Sequence, residues 1–285
     1  MQKQILFFPM LMIMPMICFG QAATSKSTDA SSADLQAAKV VSPLRKLIDE
    51  TLTKVELVMS DEPTKPLTRV VGSIWANNAR GSESGMTIFY VANGRPEVVC
   101  SIYPWQENLI QEFDSLSREK PIARVDGRAV WTPEKPGVQL QKVLDADPPH
   151  DTPEKRNLQL RVLSRRFTST MLGWKEDKTD REELRLQPRP LFRYETKRKD
   201  ILDGAVFAFT QGTDPETLLI IEAVAKGDLY EWQYAFVRNT SGELESRHDG
   251  KVVWHADRFP ISTDARSVHF SFATKIDARI LAELK

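Results

Sequence analysis

This chain predicts an α+β fold built by internal duplication. The unit is a helix followed by an antiparallel meander of four or five strands, made twice, with a C-terminal strand and a short helix to close it. Three observations predict it. Arg124–Trp131 and Arg247–Trp254 share five of eight residues at an offset of 123. Gly85–Glu97 aligns without gaps onto Gly204–Glu216 at an offset of 119. Pro66-Leu-Thr-Arg69 matches Pro190-Leu-Phe-Arg193. Matches that keep their order and a near-constant spacing mark a repeated supersecondary unit.

The elements follow in order. Lys3 and the uncharged run Ile5–Phe19, then small residues, read as a signal peptide over 1–22. That run is 15 residues long, short of the ~20 that a spanning helix needs, so no permanent membrane insertion is expected. The expected destination is the periplasm or the cell exterior. Residues 23–41, rich in Ser, Thr and Ala, cannot bury enough apolar surface to order themselves and read as a flexible tether. The first repeat is assigned to 42–145 and the second to 146–285.

Ser42-Pro43 and Thr152-Pro153 each offer a capping hydroxyl before a proline at the first helical position. Three-to-four spacing then extends the first helix through Leu52, Val55 and Met59, and the second through Leu160, Leu163, Phe167, Met171 and Trp174. Arg156, Arg161, Arg165 and Arg166 line the other face of the second helix, which reads as a solvated surface in preference to an anion site. Asn93-Gly94, Asp126-Gly127 and Asp249-Gly250 predict tight hairpins, because a type I′ turn needs positive φ at both central positions. Leu109–Leu116 and Leu229–Val237 supply further strands, with Trp232, Tyr234 and Phe236 on one face. Lys175–Glu183 reads as a charged loop, Val268–Phe272 as the last strand and Asp277–Leu284 as the closing helix.

Composition narrows the function classes. The 39 basic and 39 acidic residues balance, which argues against nucleic acid as a partner. With Cys18 in the leader, Cys100 is the one remaining thiol, and an intramolecular disulfide is excluded. No G-x-S-x-G elbow, phosphate-cradling loop or dinucleotide fingerprint is present, so no cofactor is expected. His255-Ala-Asp257 brings two metal-type ligands to one strand, too few to predict a metal.

The candidate binding residues come from the duplication. Glu97 and Glu216, Arg69 and Arg193, and Trp131 and Trp254 are equivalent pairs. Asp214 breaks the symmetry, since Arg95 holds its place, and Glu222 interrupts the apolar run Leu218–Ala225. A carboxylate in such a run is either solvent-facing or functional, and periodicity does not choose. Asp214, Glu216, Glu222 and His255 are thus the polar candidates, beside Trp131, Trp254, Arg69 and Arg193.

Leu184–Tyr194 (LRLQPRPLFRY), Asp203–Glu216 (DGAVFAFTQGTDPE) and Glu112–Ser117 resemble segments of a family of uncharacterised secreted bacterial proteins. The resemblance implies export but no activity, ligand or site. The sequence is therefore read as an exported binding or interaction module whose partner is an unknown protein or small molecule. Two other readings stand beside it: a hydrolase with its site between the repeats, and a carrier of an apolar small molecule.

Overall fold

The computed structural model describes residues 43–77, 82–173, 181–259 and 264–283. The expected leader and tether, Trp174 and most of the expected 175–183 loop lie outside the described residues. Among the described residues there are eighteen strands and three helices. The fold is mostly β, and this corrects the α+β reading.

Helix α1 (Pro43–Thr53) leads into β1 (Val55–Met59), β2 (Glu62–Pro66), β3 (Thr68–Asn77) and β4 (Ser82–Ala92). Then come β5 (Arg95–Trp105), β6 (Asn108–Ser115), β7 (Pro121–Val125), β8 (Arg128–Trp131) and β9 (Gln141–Lys142). Helix α2 (Pro153–Ser164) precedes β10 (Phe167–Leu172), β11 (Arg181–Leu186), β12 (Phe192–Tyr194) and β13 (Ile201–Gln211). The chain continues through β14 (Asp214–Lys226), β15 (Leu229–Arg238), β16 (Glu243–His248), β17 (Lys251–Ala256) and β18 (His269–Lys275) to α3 (Ala278–Glu283).

Both long helices stop short of their predicted ends. Val55 and Met59 belong to β1, and Phe167 and Met171 to β10. The runs Val-Glu-Leu-Val and Phe-Thr-Ser-Thr are rich in β-branched side chains, which lose rotamer freedom in a helix and pack well on a pleated surface. Their apolar residues happen to continue the helical spacing. Part of the predicted loop is also a strand, β11. The α2 cap is as read: Thr152 has extended backbone and accepts from Lys155 N, with Pro153 in the first turn.

The strands after each helix do not form one meander. β1, β2, β7 and β8 make a small sheet in the order β2-β1-β7-β8, while β3 to β6 join β18 in a five-stranded sheet. A nine-stranded sheet runs β17-β16-β10-β11-β13-β14-β15-β9, with β12 added on β13. Its two arms curl toward each other, since Phe167, Met171 and Leu244 share a core with Phe207, Phe209 and Tyr234.

The five-stranded sheet and the β13–β15 part of the nine-stranded sheet pack face to face. Phe89, Val99 and Leu116 meet Val206, Ala208, Leu218, Ile220, Ala235 and Val237 across that interface. On its other face the first sheet carries Ile88, Cys100, Ile102 and Phe113, covered by α1, Leu57 and Trp131. The second carries Phe207, Leu219, Ile221 and Trp232, covered by α2 and β10. Each sheet is thus buried on both sides. This explains the near-continuous burial of β5, β6, β13 and β14 and their runs of Val, Ile, Leu and Phe. Among the described residues no helix is long and apolar enough to cross a membrane.

Candidate functional site

The predicted candidates are scattered through the fold. Trp131 is fully buried, donates from Nε1 to Ser267 O at 2.7 Å and lies against Phe113. Trp254 stacks on Phe236 at the rim of the second core. Both are core lids.

Glu222 is neither solvent-facing nor in a cleft. It is fully buried and accepts from Arg95 Nε at 2.7 Å and from the Tyr194 hydroxyl at 2.5 Å. Arg95 also donates to Glu97 at 2.8 Å and to Leu116 O at 3.0 Å. Burial alone would lower the Arg95 pKa, but the Glu222 and Glu97 carboxylates overcome it and hold the guanidinium charged. This lock joins β5 to β14 and β12 across the interface.

Arg193 ion-pairs with Asp203, which also accepts from Arg156 Nε at 2.6 Å. Arg156 is therefore a buried strut and not part of a solvated arginine face. Arg193, Tyr194 and Glu195 line a shallow surface hollow with Pro153, Glu154 and Asn157.

Asp214 and Glu216 are brought together at the far end of the interface, where Asn77 Nδ2 donates to Asp214 at 3.2 Å. Tyr103 feels both carboxylates and hydrogen-bonds Glu112. Beside them His269 Nδ1 lies 2.7 Å from Asp114 Oδ1, a buried pair that sequence alone does not reveal. Its partners stand 155 residues apart, on strands that only the fold makes neighbours. Glu216 and Glu222 share strand β14 but sit six residues, and so about 20 Å, apart. His255 is exposed on β17, with Glu243 at 3.3 Å and Asp257 at 3.6 Å. The four polar candidates do not converge on one reacting atom. Among the described residues no group of three His, Cys, Asp or Glu is arranged to hold a metal. Cys100 is a buried core thiol whose pKa burial pushes well up, unsuited to act as a nucleophile.

The remaining candidate, Arg69, is exposed on β3. This strand ends the five-stranded sheet and, among the described residues, pairs only with β4. Arg69, Val71 and Ile74 stand opposite Tyr90, Ile88 and Met86, so all three project from one face of the strand. Val71 is 47% exposed and Ile74 63%. A bulge falls between Val71 and Ser73, where Gly72 lies so close over Phe89 that a Cβ would come within 2.5 Å of the ring. At the strand's end Thr213 Oγ1 takes both backbone groups of Ala76. Among the described residues the unpaired edge is therefore 68–75.

No protein-family model, curated protein or solved structure matches this chain.

Proposed function

We propose that this protein is an exported interaction module that binds an extended polypeptide segment along the free edge of β3. One observation carries the reading: β3 is a ten-residue edge strand bearing two exposed apolar side chains and an exposed arginine in a row. An open edge presents unpaired backbone donors and acceptors that an incoming strand satisfies, while pockets or ledges beside it select side chains. Val71 and Ile74 form such a ledge, and Arg69 favours an acidic residue near one end of the bound segment. Edges without a partner are usually blunted by charge or proline, as β2 is by Glu62, Pro63, Lys65 and Pro66. The expectation of export rests on the leader-like segment 1–22.

The interior polar groups favour no chemistry, because each candidate carboxylate is engaged within a closed interface. Nor does that interface favour a carrier, since large side chains from both sheets fill it.

Photo-crosslinking residues placed at 71 and 74, in cells that make the protein, test the proposal. A defined product at both positions, with none at the equally exposed Leu158 of α2, is expected. No product at 71 and 74, or the same product at 158, contradicts it. A product with twice the monomer mass would identify the bound segment as a second copy of this chain.

A further inference from the structure

The slot along β3 is bounded at both ends. At its start Leu67 N donates to Leu57 O at 2.7 Å, which ties the chain entering β3 to β1. At its far end Thr213 Oγ1 accepts from Ala76 N at 2.9 Å and donates to Ala76 O at 3.0 Å. Between these ties, among the described residues, 68–75 pairs on one side only, with β4. Those eight residues of strand span about 26 Å, which limits an occupant to a segment of similar length.

Within the slot the exposed side chains have a fixed pattern. Arg69, Val71 and Ile74 are unevenly spaced in sequence, but the bulge at Gly72 absorbs the extra residue. Their partners on β4, Tyr90, Ile88 and Met86, are evenly two apart. A regular strand laid on the other side of β3 meets the same even spacing and sets an alternate side chain beside each of the three. Val71 and Ile74 offer apolar surface that β-branched or aromatic side chains cover well. The Arg69 side chain is exposed and, among the described residues, in no ion pair or hydrogen bond. Its partner on β4 is Tyr90, whose hydroxyl burial keeps neutral, so β4 supplies no counter-charge at that position.

We infer, resting on the edge binding proposed above, that the bound polypeptide segment carries a signature: apolar, any, apolar, any, acidic, read from its amino to its carboxyl end. The order follows from antiparallel pairing, the slightly more stable ladder. An antiparallel occupant passes Ile74 first, Val71 next and Arg69 last. Its alternate side chains then cover the two apolar ones and bring a carboxylate to the guanidinium. Backbone bonds and the apolar pair supply the affinity, and the acid supplies the choice of partner. A lysine in its place turns attraction into repulsion, so discrimination exceeds the small worth of one exposed ion pair.

Titration of the full chain with three end-blocked peptides, followed by the backbone amide NMR signals of 68–75, tests the signature. The first is Thr-Ile-Thr-Val-Thr-Glu-Thr, the second has Lys for Glu, and the third is the first in reverse order. In dilute salt the first is expected to bind at least about fivefold more tightly than the second, and more tightly than the third. Arg69→Glu is expected to reverse the preference between the first two. Equal binding of the Glu and Lys peptides along 68–75, or a reversed peptide that binds as tightly as the first, would overturn the signature and leave edge binding standing. No shift at 68–75 with any of the three would also overturn it, and edge binding would then rest on the crosslinking at 71 and 74 alone.

Discussion

Glu112 shows how burial sets a stability profile. Its carboxyl is pushed from an ordinary value of 4.5 up to about 7, chiefly by desolvation. An acid whose folded pKa is raised binds its proton more tightly in the native state. Its contribution is fully present below about pH 4.5 and is lost as the pH rises through about 7. The expected loss is about 3 kcal/mol between those values, read as a fall in denaturation midpoint that Glu112→Gln lacks. A midpoint in the parent that stays level or rises across that range would contradict this. Glu222 illustrates what a sequence withholds at this scale. Its place in an apolar run marks it as unusual, but its partner Arg95 lies 127 residues away and periodicity carries no trace of the pairing.

At the scale of elements, the turns are legible because their chemistry is local. Asn93, Gly94, Asp126, Gly127, Asp249 and Gly250 all adopt positive φ, as a type I′ hairpin requires. Their surroundings are not legible. A Cβ on Gly127 would meet nothing within 4 Å, whereas one on Gly94 would lie 2.6 Å from Glu195 O. Thr196 and Lys197 also donate to Asn93 O, so this turn is clasped by the segment after β12. Both glycines pay the same conformational penalty when replaced by alanine, about 1 kcal/mol, but only Gly94 adds a clash with backbone. Gly94→Ala is therefore expected to destabilise by at least about 1 kcal/mol more than Gly127→Ala in denaturant titrations. Equal effects would show that the clasp is loose. The helices mislead for a related reason: three-to-four spacing persists by chance across Lys54 and across Arg165-Arg166 into strands. Only the β-branched content of those stretches argues against it.

At the scale of the whole molecule, the matched segments correctly place strands but not sheets. β1 pairs with β7 and β10 with β16, each joining strands that lie well apart in the chain. β18 crosses back to pair with β6, and β9 adds to β15. Such pairings are non-local, and no periodicity encodes them. They move the predicted meanders into separate sheets and bury both faces of the two central ones. Asp214, Glu216 and Glu222 are buried within the interface, while β3 ends its sheet with Val71 and Ile74 exposed. Arg69 was legible as a candidate through its match to Arg193, although the two serve different ends: one is exposed at the edge, the other braces Asp203. The most direct test of the central claim is amide exchange of the protein free and with the partner captured through positions 71 and 74. Added protection confined to 68–75 is the predicted result. Protection centred on α2 or β17, or none on β3 with the partner bound, would contradict it.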